Sequence, residues 1–189
     1  MYNNSMKVLF INACARKESR TRRLAGCYLA KLSEAYEEVR LFEIAFPKAD
    51  EAFLKRRDSF ILEGDYSDPM FGLAKQFAAA DEIVIAAPYW DLSFPAALKQ
   101  YLEQINVLGI TFRYSPLGIP EGLCRAEKLT YVTTAGGNYV PEEFGFGYVR
   151  ALAQGYYGIQ DVRLIQAAGL DIEGADAEAI MQAAEESIR

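Results

Sequence analysis

Residues 82–95 read Glu-Ile-Val-Ile-Ala-Ala-Pro-Tyr-Trp-Asp-Leu-Ser-Phe-Pro, and this stretch decides the fold. Glu82–Ala87 is the most hydrophobic short run of the chain, with the unbroken apolar character of a strand buried on both faces. Pro88 stops it. Pro95 then opens a helix in which Leu98, Tyr101, Leu102 and Ile105 fall on one face. A buried strand feeding an amphipathic helix through a loop is the repeating unit of a parallel sheet.

The unit recurs on both sides. Lys7–Asn12 is β-rich and nearly all apolar, followed by a polar loop, Ala13 to Glu18. Ser19 or Thr21 caps a helix with Leu24, Tyr28 and Leu32 on one stripe. Glu38–Ile44 reads as a weaker strand, and residues 46–66 as a charged, irregular segment with a partial helix across Ala52–Leu62. Asp68-Pro69 is a helix start, after which Met70, Leu73, Ala74 and Phe77 repeat at helical spacing. Ile110–Tyr114 is a short β-like insert between Gly109 and Pro116. Leu129–Thr134 is a strand running into Ala135-Gly136-Gly137. A helix over Pro141–Tyr156, a strand over Val162–Ala167 and a helix from about Asp176, carrying Ile180, Met181, Ala184 and Ile188, complete the chain. Five strands alternating with helices predict an α/β, flavodoxin-like parallel sheet of order 2-1-3-4-5 with helices on both faces.

At 189 residues the chain is the size of one domain, spanning 1–189, and can bury a sizeable core. With 51% hydrophobic and 24% charged residues it is composed as an ordinary globular protein, not a disordered or fibrous one. Twenty Lys and Arg against 26 Asp and Glu give a net charge of −6, which disfavours nucleic acid as a partner. The N-terminus offers no signal or membrane segment, so no membrane partner and a cytoplasmic location are expected. Met6-Lys7 reads as a native start, with Met1–Ser5 a leader or appended remnant.

The chain has no histidine. That excludes Ser-His-Asp and Cys-His catalysis and any imidazole-ligated metal. Cys14, Cys27 and Cys124 are scattered, with no CxxC pair, against a disulfide framework, a zinc site or an iron–sulfur cluster. No metal is expected. Chemistry in such a chain falls to a cofactor, or the protein is no enzyme.

Ligands of an open parallel sheet sit beyond the carboxyl ends of its strands, which directs attention to three loops. The first has no GxGxxG or Walker pattern but offers Ser19, Arg20 and Thr21 at the mouth of a helix, where hydroxyls, free N–H groups and the helix dipole suit one phosphate. Helix capping by Ser19, with Arg16, Lys17, Arg20, Arg22 and Arg23 as a solvated basic face, accounts for the same residues. In the second loop, Tyr89, Trp90, Asp91 and Leu92 follow a buried strand and suit a flat ring, or plug the core. In the third, Thr134, Ala135, Gly136 and Gly137 let backbone approach a ligand, or simply turn the chain. Together they describe a mononucleotide site for a large planar ring.

With these residues in view the sequence resembles the FMN-dependent NAD(P)H oxidoreductases of the NADH-azoreductase and quinone reductase group. The most specific stretches are Ile83–Pro88 with Leu98-Lys99-Gln100-Tyr101, Gly109–Tyr114 with Pro120-Glu121-Gly122-Leu123, and the Gly136-Gly137 loop. The resemblance implies FMN as cofactor. Ser19-Arg20-Thr21 matches the family's phosphate-holding Ser-x-Ser, Tyr89 to Leu92 its ring-contacting loop, and Thr134 to Gly137 its Ser-x-Gly-Gly loop. It also implies NAD(P)H as co-substrate, hydride transfer through flavin N5 to a small quinone or azo-type acceptor by ping-pong turnover, and a homodimer with Phe112, Tyr139, Phe144 and Phe146 as pocket walls. Ordinary packing accounts equally for those four.

The chain departs from the family at several points. Trp90-Asp91-Leu92 replaces a Tyr-Asn-Phe, and a carboxylate beside the ring would disfavour negative charge there unless Asp91 turns away or accepts the ring N3–H. Ala13 replaces a loop serine, and the region before Asp68 matches poorly. A flavodoxin-type electron carrier, a flavin-free protein on the same fold and a reactive thiol at Cys14 are the alternative readings.

Overall fold

The computed structural model describes residues 6–32 and 34–188. The proposed leader Met1–Ser5 lies outside them. The sheet has five parallel strands: β1 (Val8–Asn12), β2 (Tyr36–Arg40), β3 (Glu82–Ala86), β6 (Lys128–Thr134) and β7 (Asp161–Ala167). Their order is β2-β1-β3-β6-β7, the expected 2-1-3-4-5 once the sheet's own strands are counted. Two short strands, β4 (Phe112–Tyr114) and β5 (Pro120–Gly122), form a separate antiparallel hairpin.

Every residue of β1 and β3 is buried, and the two strands pair directly from Val8↔Glu82 to Asn12↔Ala86. Side chains alternate between the faces of a strand, so each supplies two cores. Leu9, Ile11, Ile83, Ile85, Leu129 and Tyr131 face α3 (Gly72–Ala79) and α4 (Ala96–Ile105), burying Phe77, Leu98, Tyr101 and Ile105. Val8, Phe10, Val84, Ala86 and Val132 face α1 (Arg20–Leu32) and α6 (Ala177–Ser187), burying Leu24, Tyr28, Leu29 and Met181. Burying a large aliphatic side chain contributes about 1.5–3 kcal/mol, which explains why β1 and β3 are nearly all apolar.

Glu82 is the charged exception. It is 4% exposed, yet its carboxylate accepts from the Tyr28 hydroxyl at 2.7 Å and pairs with Lys128 Nζ at 2.9 Å. Thr130 Oγ1 donates to Tyr28 Oη at 3.1 Å, so the network is closed.

Four local expectations are corrected. The second strand begins at Tyr36, not Glu38, and ends at Arg40, because pairing with β1 runs from Val8↔Tyr36 to Asn12↔Arg40. Leu41 then turns into the core in a 3₁₀ turn, Leu41–Glu43. The partial helix is a full one, α2 (Glu51–Glu63), capped by Asp50, whose carboxylate accepts from Phe53 N–H; none of its residues is fully buried, which is why its periodicity is weak. The helix expected over Pro141–Tyr156 is three pieces: a 3₁₀ turn at Glu142–Phe144, α5 (Phe146–Leu152) and a π turn at Ala153–Tyr157. Gly145, at φ −114° and ψ −93°, breaks it. The insert at Ile110–Tyr114 has a partner strand, and the hairpin docks where a side chain on Gly122 would collide with the Tyr157–Gly158 backbone at 2.2 Å. Among the described residues no helix is long and apolar enough to cross a membrane.

Candidate functional site

The loops after β1, β3 and β6 meet at the carboxyl edge of the sheet, around a cleft of about 360 Å³. That lies at the lower end of the range for sites that hold a small organic ligand. Ser19, Arg20 and Thr21 line it from the first loop, Tyr89 and Trp90 from the second, Thr134, Ala135 and Gly136 from the third.

The first loop is held from below. Ala13 N–H donates to Ala86 C=O at 2.8 Å, and Asn12 Oδ1 accepts from Cys14 N–H at 2.9 Å. Asn12 Nδ2 in turn donates to Glu38 Oε1 on β2 at 2.8 Å. Burial works against ionisation of Glu38, but hydrogen bonds from Asn12 and Arg40 outweigh it and hold its carboxyl below the usual value. Ser19 Oγ accepts from Arg22 N–H at 3.3 Å, so it does cap α1 while facing the cleft. Helix geometry leaves the N–H groups of Arg20 and Thr21 without intrahelical partners, at the positive end of the dipole.

The second loop is a tight turn. Trp90 and Ser93 exchange backbone hydrogen bonds of 3.0 and 2.8 Å around Asp91 and Leu92, whose φ angles are 48° and 68°. Two left-handed central residues make this a type I′ turn, built here without glycine. Ser93 Oγ donates to Phe144 C=O at 2.5 Å, tying the turn to the segment after the third loop. Trp90 is 40% exposed, with its ring 6.5 Å from that of Phe42. Asp91 and Leu92 sit exposed at the tip and do not line the cleft.

The third loop is zipped to the segment after β7. Ala135 N–H donates to Ala167 C=O, Gly169 N–H to Gly137 C=O, Leu170 N–H to Ala135 C=O and Asp171 N–H to Gly136 C=O, at 2.9–3.2 Å. Gly137 is next to the cleft without lining it. Leu170 and Asp171 therefore line the cleft, as do Ala15, Arg16, Glu18 and Pro88. Asp171 is not among the residues the sequence singles out; it lies just after the end of the sheet's fifth strand and Gly169. Arg20 Nη1 lies 2.7 Å from Asp171 Oδ1.

The four expected pocket walls separate into two kinds. Tyr139 and Phe144 are 75% and 54% exposed. Phe112 and Phe146 are each 8% exposed and do not line the cleft: Phe112 packs on Tyr114 of the hairpin and on Tyr156 of the π turn, and Phe146 on Tyr131. A void of about 10 Å³ beside Phe146 is bordered by Tyr89 and Thr133, whose hydroxyls are buried without a protein partner among the described residues. It has room for one water and nothing larger. Burial, with Tyr139 nearby, pushes the Tyr89 phenol up. Burial also pushes the Cys14 thiol up, against weaker pulls from Ser19 and Arg22, which argues against a reactive thiolate there.

A family model for the flavodoxin-like fold matches residues 6–189. The chain belongs to that family. This flavodoxin-like chain is 35% identical over 187 residues to an FMN-dependent NADH:quinone oxidoreductase of Clostridium beijerinckii, covering 94% of this chain and 93% of that one. A protein of the same name from Coprothermobacter proteolyticus is 35% identical over 184 residues, covering 91% and 90%. Among solved structures, the azoreductase of Bacillus anthracis superposes with a TM-score of 0.82 at 25% identity, over 97% of this chain and 96% of the other.

Proposed function

We propose that this chain is a single-domain FMN-dependent oxidoreductase that takes reducing equivalents from NAD(P)H and passes them to a small quinone or azo-type acceptor. The observation that carries this reading is the convergence, in one cleft, of an anion seat at the start of α1, an aromatic wall and a backbone-lined loop. The names of its relatives point the same way, and theirs specify FMN, NADH and quinone.

The residues present fit FMN. Ser19 Oγ, the Arg20 guanidinium and the N–H groups of Arg20 and Thr21 are the donor set a phosphate monoester takes. Tyr89 and Trp90, followed by the Asp91-Leu92 turn, would flank the ring, and the Thr134–Gly137 backbone would border its polar edge, where fixed donors stabilise developing charge. FMN supplies the hydride-accepting and hydride-donating chemistry that the side chains of a histidine-free chain lack. The protein binds, orients and excludes water. Nicotinamide and acceptor would use the same face of the cleft in succession, a ping-pong order.

Trp90, Leu92, Tyr139 and Phe144 leave apolar surface exposed beside the cleft. Such a patch is what a second copy of the chain would cover, and we assign the protein as a homodimer with Tyr139 and Phe144 as acceptor walls. Phe112 and Phe146 act by packing within their own chain. Three unpaired cysteines suit a reducing compartment, and we place the protein in the cytoplasm.

The test is an absorbance spectrum of the FMN-loaded protein followed by anaerobic titration with NADH and with NADPH. Rapid bleaching of the yellow colour is expected. Loaded protein that neither nicotinamide bleaches would instead be an electron carrier, and a chain that does not take up FMN would refute the cofactor as well.

A further inference from the structure

The anion seat already contains an anion. Asp171 Oδ1 accepts from Arg20 Nη1 at 2.7 Å, on the same cleft wall as Ser19 and Thr21. The residue that carries this carboxylate is anchored to the cleft wall. Its backbone is fixed by the bond from Asp171 N–H to Gly136 C=O at 2.9 Å, within the ladder that zips residues 167–171 to residues 135–137. Its other oxygen lies over Gly136, where a Cβ would come within 2.4 Å of Asp171 Oδ2. Only glycine at 136 leaves the carboxylate that position.

We propose that Asp171 is a built-in competitor for the cofactor's phosphate, and that Arg20 exchanges the carboxylate for the phosphate when the flavin nucleotide enters. This rests on the FMN reading above. A guanidinium takes carboxylate and phosphate in the same fork geometry, so one replaces the other without rebuilding the site. The existing pair is 47% and 67% exposed, and ion pairs that open to water contribute little, so releasing Arg20 costs little. The tied backbone keeps Asp171 on the cleft wall, so its charge stays nearby when Arg20 leaves it. A dianion entering the same cleft meets one nearby negative charge that a neutral flavin does not feel. Asp171 therefore weakens FMN selectively and narrows the preference for the phosphorylated flavin over riboflavin. Arg16 and Glu18 also line the cleft and add opposite charges, which leaves Asp171 as the carboxylate that engages the Arg20 donor directly.

The test compares FMN and riboflavin binding to the wild type, Asp171→Asn and Asp171→Ala by quenching of flavin fluorescence at low and high salt. Asp171→Asn keeps shape and removes charge. It should tighten FMN by about fivefold to tenfold at low salt, and less at high salt, with riboflavin changed by less than about twofold. A crystal structure with FMN should show Arg20 on the phosphate and off Asp171. Unchanged or weaker FMN binding in both variants, at unaltered melting temperature, would overturn the proposal, as would equal tightening of both flavins. An intact Arg20–Asp171 pair in the FMN complex would do the same. Wild-type protein that binds neither flavin would sink the FMN reading itself, a result distinct from any difference between variants.

Discussion

Thr21 Oγ1 and Thr134 Oγ1 lie 2.6 Å apart, both buried, and join the start of α1 to the end of β6 across the carboxyl end of β3. β1, which leads into α1, and β6 are not neighbours in the sheet, so this bond holds two walls of the cleft at a fixed separation. Thr21→Val keeps the volume and leaves the Thr134 hydroxyl buried without this partner, at a cost of about 1–3 kcal/mol. The double variant Thr21→Val, Thr134→Val should recover part of the loss, since no hydroxyl is then stranded. Thermal denaturation of the cycle checks the coupling, and FMN titration of the single variants should show weaker binding.

The turn at Trp90–Ser93 stores strain. Leu92 at φ 68° is in a region that costs an L-residue about 1–2 kcal/mol. Leu92→Gly removes that cost but adds freedom to the unfolded chain, worth about 0.4–1 kcal/mol, so a net gain of about 0.5–1 kcal/mol is expected. Leu92→Val, β-branched in the same conformation, should lose at least as much. Melting temperatures of the two variants should move in opposite directions from the wild type.

Glu38 gives the first loop a pH dependence. Its carboxyl titrates below its ordinary value in the folded chain, so it contributes stability above the ordinary carboxylate pKa, near about 4.3, and loses it as pH falls through the lower folded value. Protonation weakens its hold on Arg22 and Arg40 and, through Asn12, on the Cys14 turn. Melting temperature measured from pH 7 down to pH 3 should fall more steeply for the wild type than for Glu38→Gln. Parallel curves for the two proteins would remove Glu38 from this role.

What sequence reasoning could reach depended on whether a signal was periodic. Val8–Asn12 and Glu82–Ala86 are apolar without alternation because both faces are covered, and that is visible in one dimension. The three loops followed from the strand ends alone. Asp171 did not, because its place depends on a backbone ladder between residues 135–137 and 167–171 that no local pattern encodes. Proline and glycine make Pro120–Gly122 read as turn, yet the segment is a strand and the hairpin needs Gly122 to sit flush on Tyr157. The apolar spacing over 141–156 continues through Gly145 and so predicts one helix where the backbone breaks. Arg20 was read as a phosphate ligand, and the structure adds that it has another partner at hand.

The network around Glu82 lies at the amino ends of the strands, opposite the cleft, and predicts a clean separation of stability from binding. Lys128 is held above its usual pKa: burial opposes its charge, but hydrogen bonds to Tyr28 and Glu82 prevail. Removing the cation by Lys128→Met strands a carboxylate that is 4% exposed, and breaking a buried pair from one side costs about 3–5 kcal/mol. Glu82→Gln keeps an acceptor for Tyr28 and lets Lys128, 24% exposed, reach water, so it should cost less than Lys128→Met. For a chain of this size about 1 kcal/mol corresponds to roughly 2–4 °C, so Lys128→Met should melt about 6–20 °C lower. FMN affinity at 20 °C should stay within about twofold of wild type in both variants, because no residue of the network lines the cleft. A large loss of FMN binding at full folding would mean that the two ends of the sheet are coupled through β3, and that the cleft is not an independent assembly of loops.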